Sequence, residues 1–366
     1  MNAFGRRFRV SLFGESHGAG VGVLIDGVPS GLALDEAGLQ DDLDARRPGA
    51  SALTSQRREP DNPRILAGTF KGHTTGAPVC IWIENHDVQS KPYEKAAGLL
   101  RPGHADWPSH VWSKGFHDPR GGGHSSGRLT AGLVAAGTLA QRILDPLGIR
   151  CAAHLHQVGD LAGPRHTHGT ATMLEQVPGS PVYTAHKTLE ARFVQAIEGA
   201  RKAKDSIGGV VEFAAEGVPV GLGDPIADNV ESLLAHILFA VPAVKGVEFG
   251  AGFASSAMRG SQHNDPYALR NGKIVPSSNH AGGILGGRTT GVPLIGHVAI
   301  KPASSIFQPQ QTVDLATGKE ATLELTGRHD PCIAIRAVPV VQACLRIALA
   351  DLVLLGREQG VEGVWP

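Results

Sequence analysis

The chain has 366 residues, with 34 basic and 34 acidic side chains and so no net charge. That balance excludes a basic nucleic-acid face and an acidic tail as organising features, so any anion site must be local. The length buries enough surface to need no staples, and 48 glycines with 5% aromatic residues point to tight turns and an interior of small side chains.

Phe8 to Phe13 and Gly20 to Val28 read as strands. The polar turn between them, Gly14-Glu15-Ser16-His17-Gly18, suits a functional side chain or simply a solvated His17. Asp35 can cap a helix with Leu39 and Leu43 among its apolar positions, ending at Arg46-Arg47, where arginines suit the helix dipole. Ser51 to Pro63 has no periodicity and reads as a long loop of the binding or lid type. Ala77 to Glu84 alternates toward a strand. Four histidines follow, His104, His110, His117 and His124, interspersed with Arg101, Arg120 and Arg128. Their spacings do not match a zinc site, and no metal is expected. Imidazoles and guanidiniums on loops fit proton transfer beside a bound anion, or a set of solvated loop histidines.

The stretch Arg120-Gly121-Gly122-Gly123-His124-Ser125-Ser126-Gly127-Arg128-Leu129-Thr130 is the most informative in the chain. Its glycines permit positive φ and close approach to a ligand, and its serines can cap the apolar helix Leu129 to Leu144, which should be buried. A helix start with unpaired N–H groups is an anion site. Ala152 to Ala185 reads as loop with no chemical motif. An amphipathic helix with Leu189, Phe193, Ile197 and Ala200 on one face comes next, then a strand at Gly209 to Ala215 and a helix at Val230 to Val241. Strands at Val247 to Phe249 and Pro293 to Lys301 precede a last helix, Val338 to Leu355, with Pro339 tolerated in its first turn. No linker or repeat divides the chain, which reads as one α+β unit over residues 1–366.

Cys80, Cys151, Cys332 and Cys344 lack CxxC spacing and are expected as buried small hydrophobes in a reducing compartment. No stretch approaches 18 apolar residues, so a cytoplasmic protein without a membrane partner is expected. No GxxxxGK[ST] occurs, which sets aside a P-loop NTPase. Two further stretches offer close-approach backbone. One is Asn279-His280-Ala281-Gly282-Gly283-Ile284-Leu285-Gly286-Gly287, the other Lys301-Pro302-Ala303-Ser304-Ser305. Near the end, Gly327-Arg328-His329-Asp330-Pro331-Cys332 leads to Arg336.

With the Gly-Glu-Ser-His-Gly turn, Arg-Pro-Gly-His-Ala-Asp at Arg101 to Asp106, the Ser-Ser-Gly-Arg stretch and Arg-His-Asp-Pro-Cys in this order, the chain closely resembles the chorismate synthase family from about Phe8 to Leu352. The resemblance implies a βαβ sandwich, with helices layered between antiparallel sheets, assembled as a homotetramer. It implies reduced FMN as cofactor and 5-enolpyruvylshikimate 3-phosphate as small-molecule substrate. The reaction is a 1,4-anti elimination of phosphate and the C6 hydrogen to give chorismate, the last common step of aromatic amino-acid biosynthesis. NADPH or an external flavin reductase would keep the flavin reduced, and the lack of an added reductase domain leans toward the external route.

By position, the resemblance assigns Ser16, Arg46, Arg101, Arg128 and Arg336 to the substrate, whose phosphate and two carboxylates suit planar guanidinium forks. His17 falls near the departing phosphate, His104 against the flavin, and Asp330 at the carboxylate that assists C6 proton removal. The flavin contacts would be His124, Ser125, Ser126, Pro242, Ala243, Gly286, Lys301, Pro302, Ala303, Ser304, Ser305 and Arg328. Departures from the family pattern are Ala52 and His124, where arginine is common, together with His117, Pro119 and Gln342. Arg57 or Arg58 stands near enough in sequence to replace the missing loop cation. A non-catalytic relative that binds flavin or a phosphometabolite is the alternative reading.

Overall fold

A computed structural model describes residues 2–49, 53–54, 59–87, 98–166, 169–327 and 329–364. Ala52, Arg57, Arg58 and Arg328 lie outside the described residues. The first sheet contains β1 (Ala3–Phe4), β2 (Arg9–Gly14), β3 (Gly20–Asp26), β4 (Pro63–Ala67) and β5 (Val79–Glu84), in the order β1-β2-β3-β5-β4. The second contains β6 (Arg150–Val158), β7 (Leu161–Ala162), β8 (Gly209–Glu216), β9 (Val244–Phe249) and β10 (Leu294–Ile300), in the order β9-β10-β8-β6-β7. Every pairing in both sheets is antiparallel.

Four helices, α1 (Glu36–Arg46), α2 (Thr130–Leu144), α3 (Val230–Phe239) and α4 (Ala334–Glu358), fill the space between the sheets. The α+β sandwich is therefore the one expected. In β5 the alternation is plain: Val79, Ile81 and Ile83 are buried, while Cys80 and Trp82 are half-buried on the other face. Helix α2 is apolar on nearly every side, as a helix between two layers must be. Two of its glycines set the spacing. A Cβ on Gly132 would lie 2.7 Å from Leu12 of β2, and one on Gly137 would lie 2.5 Å from the Cβ of Ala343 in α4. Asp35 caps α1 by accepting a 2.8 Å hydrogen bond from the Gly38 N–H, as its spelling predicts.

Three expectations need correction. Ala152 to Ala185 is not loop throughout, because β6 runs from Arg150 to Val158 and a helix covers Thr170–Gln176. Imidazoles occupy buried positions in β6 and hide its strand pattern. Helix α4 starts at Ala334, four residues earlier than expected, so Pro339 sits in the second turn, where its missing N–H removes one intrahelical bond. That same helix is long and apolar enough to cross a membrane by length and composition, but it is largely buried inside the protein. Its Asp351 is fully buried and accepts the backbone N–H groups of Arg6, Arg7 and Phe8 at 2.6–3.1 Å, which pins the chain just before β2. Cys151, Cys332 and Cys344 are buried free thiols, and Cys80 is half-buried. Burial pushes the Cys151 thiol up to about 12 and that of Cys332 up to about 11.

Candidate active site

A cavity of about 610 Å³ opens where the ends of both sheets meet the helix layer. The turn after β2 contributes Ser16, the end of α1 Arg46, and the Arg101–Asp106 stretch His104. The approach to α2 adds Ser125, Ser126 and Arg128, the connection into β9 Pro242 and Ala243, and the residues after β10 Lys301 to Ser305. Asp330 and Arg336 close the wall from the start of α4. Most of the residues singled out from the sequence thus share one cavity.

Four do not line it. His17 is buried directly behind the wall, and Arg101 is buried beside His104. His124 is exposed, and its Nδ1 lies 2.9 Å from the carbonyl oxygen of Gly14. Gly286 is likewise absent from the wall, since it forms the turn of a small hairpin at residues 284–289.

The glycine run makes room for the imidazoles of His17, which is buried, and His104, which is half-buried. Gly121, Gly122 and Gly123 have φ of 61°, 100° and 52°, the left-handed region that glycine adopts freely. A Cβ on Gly121 would lie 2.3 Å from His17 Cε1 and 3.0 Å from Ser16 Oγ, and one on Gly122 would lie 3.2 Å from His104 Cε1 and Nε2. The glycines were expected to approach a ligand, and the close approach the structure shows is to His17 and His104. Ser126 then caps the single 3₁₀ turn Gly127–Leu129 by accepting from the Arg128 N–H at 3.2 Å, and α2 begins directly after it.

Each arginine assigned to substrate has a carboxylate partner. Arg46 and Arg128 converge on fully buried Asp61, the former at 3.5 Å and the latter in direct contact. Burial alone would raise the Asp61 pKa, but the two guanidiniums outweigh it and hold the carboxyl below the usual range. Arg101 binds both oxygens of Asp106 at 2.6–2.8 Å, and Asp106 also lies 2.7 Å from His104 Nδ1. Burial opposes the charged form of Asp106 as well, yet hydrogen bonds from His104 and Arg101 hold its carboxyl far below the ordinary value. Arg336 donates to Asp330 at 2.8 Å.

Asp61, Asn85 and Asp106 are functional neighbours that the sequence reading missed. Arg128 Nε donates to Asn85 Oδ1 at 2.7 Å, and Asn85 Nδ2 in turn donates to the carbonyls of Glu15, Ser16 and Gly18 at 3.0–3.2 Å. Arg128 therefore steadies the turn that carries His17. The signal for Asp61 was a count of charges: several arginines brought to one place require buried counter-charge. His329 also lines the cavity. Burial and the nearby Arg101 keep its imidazole pKa low, and its buried Nε2 has no hydrogen-bond partner among the described residues.

Comparison with known proteins fits this site. The family model described as chorismate synthase matches residues 8–354. A chorismate synthase of Pyrococcus abyssi is 47% identical over 355 residues, covering 96% of this chain and 98% of that protein. One from Thermococcus kodakarensis is 45% identical over 360 residues, covering 98% and 99%. A solved structure described as a crystal structure of chorismate synthase superposes with a TM-score of 0.76 at 25% identity, covering 96% of this chain and 93% of that one.

Proposed function

The chain belongs to the chorismate synthase family, and from that premise we propose that it eliminates phosphate and the C6 hydrogen from 5-enolpyruvylshikimate 3-phosphate to give chorismate, a lyase reaction that uses reduced FMN. The observation that carries this reading is the wall in which Arg46, Arg128 and Arg336 face a cavity whose rim holds His104, with His17 directly behind Gly121. Guanidiniums already fixed by carboxylates need no reorganisation when an anionic substrate arrives, which is the condition for electrostatic stabilisation of a departing phosphate.

The cavity suits a flavin. Ala243 has a φ of 73°, rare for a residue with a side chain, and its carbonyl accepts the Lys301 N–H at 3.0 Å. This brings the Pro242-Ala243 and Lys301 to Ser305 segments together as a backbone cradle, and the unpartnered Nε2 of His329 gives the wall a polar atom for a ligand. Ser125, Ser126, Pro242, Ala243 and Lys301 to Ser305 would hold the flavin, and Ser16 with the arginines would hold the substrate. When bound, reduced FMN supplies the electron-rich partner for breaking the C–O bond without net redox change.

The protein's own part is orientation and proton placement. Asp106 fixes His104 through Nδ1 and leaves Nε2 toward Gly122. His17 is the acid for the departing phosphate, and Asp330, anchored by Arg336, is the carboxylate assigned to the C6 proton. We read the chain as one domain of a cytoplasmic homotetramer supplied with electrons by NADPH or an external flavin reductase. The exposed Trp107, Val111, Trp112 and Phe116 beside the Arg101–Asp106 stretch support an assembly in which they are covered.

Purified protein mixed anaerobically with chemically reduced FMN and substrate should release phosphate and form chorismate in equal amounts. His17→Ala and His104→Ala should each lower turnover more than flavin affinity. Tight binding of flavin and substrate with no turnover would select the non-catalytic alternative.

A further inference from the structure

The face of the second sheet turned away from α4 carries a buried polar cluster that takes no part in the chemistry above. Glu212 of β8 lies opposite both His154 of β6 and His297 of β10, and His297 lies opposite Glu248 of β9. Residues directly opposite one another across a ladder share a face, so these four form one row across the sheet. The alternate residues of β8 point the other way: a Cβ on Gly209 would lie 3.0 Å from Ala334 of α4.

His156 joins the row through a bulge. Leu155 pairs with Val211 and Gln157 with Val210, which leaves His156 as the extra residue between them. An extra residue of this kind re-aims its side chain. His156 Nδ1 lies 3.9 Å from Glu212 Oε2 and 3.3 Å from His186 Nε2. His186 belongs to the chain that follows β7 across this face. A Cβ on Gly163 would lie 2.2 Å from His186 Nε2, so glycine leaves the space that the imidazole occupies.

His154, His156, His186, Glu212 and His297 are each no more than 4% exposed. A carboxylate this deeply buried is paired, hydrogen-bonded or metal-bound, and Glu212 Oε2 accepts the His166 backbone N–H at 2.9 Å. Among the described residues the ion-pair partners of Glu212 are His154, His156, His166 and His297, with no lysine or arginine.

We propose that His156, Glu212 and His297 bind one divalent transition-metal ion of the zinc class. Zinc holds imidazole nitrogen and carboxylate oxygen at about 2.0–2.2 Å in tetrahedral sites, which sets neighbouring ligand atoms about 3.3 Å apart. The ligand atoms of His156, Glu212 and His297 lie within 4.8 Å of one another, with 2.9 Å between Glu212 Oε2 and His297 Nε2. His186 Nε2, 3.3 Å from His156 Nδ1, groups with His154 and His156 and steadies the His156 ring beside the ion. Glu248 Oε1 stands 3.6 Å from His297 Nδ1, beyond hydrogen-bond distance, and is paired with Arg165 at 2.8 Å. His154 Nε2, 3.2 Å from Glu212 Oε1, positions the carboxylate from the other side. The ion ties β6, β8 and β10 together. No short motif announces it, because register and bulge bring the ligands together.

Co2+ added to metal-stripped full-length protein tests this through its visible absorption and the metal retained after gel filtration. One Co2+ per chain, with the intense bands of four-coordinate cobalt and displacement by Zn2+, is the expected result. A His156→Ala, His297→Ala double variant should lose more than about 100-fold in Co2+ affinity, and His73→Ala on the exposed surface should lose none. Folded wild-type protein that retains no stoichiometric Co2+ overturns the proposal. A double variant that binds Co2+ as wild type does overturns it too. If that variant does not fold, the wild-type stoichiometry and spectrum decide alone.

Discussion

At Gly121 a φ of 61° combines with a space already filled by the His17 ring, 2.3 Å from where a Cβ would stand. Gly121→Ala therefore meets two penalties. The left-handed backbone costs about 1–2 kcal/mol for an L-residue, and the methyl group must displace His17. A displacement of the order of 1 Å at a reacting group can cost about 100-fold in rate, so kcat is expected to fall by at least about that factor while the protein stays folded. Turnover and a thermal melt measured on the same preparation check this, and a variant with wild-type kcat removes His17 from the reaction. The glycines themselves were legible as positive-φ residues, but the group they approach was not, because Glu15 to Gly18 and Arg120 to Gly123 are distant in sequence. Asp61 was hidden for a related reason. In sequence it sits in an aperiodic polar loop, and only the fold shows it buried between Arg46 and Arg128.

The helix layer was the more readable part at the scale of elements. Capping by Asp35 and the apolar run of α2 depend on neighbours within one or two turns, which is what a sequence displays. Strand β6 was unreadable because buried histidines break the alternation that marks a strand, and the start of α4 was misplaced because Pro339 reads as a first-turn residue. The contact between α2 and α4 rests on Gly137, whose added Cβ would meet Ala343 Cβ at 2.5 Å and its Cα at 2.7 Å. Gly137→Ala should raise helix propensity and still destabilise the protein, because backbone cannot yield as a flexible side chain does. Overpacking of this kind costs about 1–3 kcal/mol. Gly199→Ala, on the exposed side of the helix Glu190–Lys202 with no atom within 4 Å, should instead stabilise by about 0.5–1 kcal/mol. Urea unfolding of both variants tests the pair, and equal signs would refute the packing argument.

For the whole molecule, the buried titratable groups set how stability depends on pH. In the metal-stripped protein, burial pushes His156 down to about 3 and lowers His166 and His329, so these imidazoles stay neutral in the folded chain. Unfolded, each takes a proton at about pH 6.5. The unfolded state then binds more protons, and stability that is complete above about pH 6.5 is lost as pH falls through that value toward the folded ones. Asp61 and Asp106 carry the same sign lower on the scale. Their folded carboxyls are held below the ordinary value, Asp61 by Arg46 and Arg128 and Asp106 by His104 and Arg101, so their contribution is full above about pH 4 and is lost on further acidification. Two successive declines are therefore expected between about pH 7 and about pH 3, each imidazole adding up to about 1.4 kcal/mol per pH unit within its window. Denaturant midpoints across that range measure the profile, and His329→Gln should make the upper decline shallower while leaving the lower one unchanged. A midpoint that rises between about pH 7 and about pH 5 contradicts the neutral imidazoles, because protons would then be binding preferentially to the folded chain.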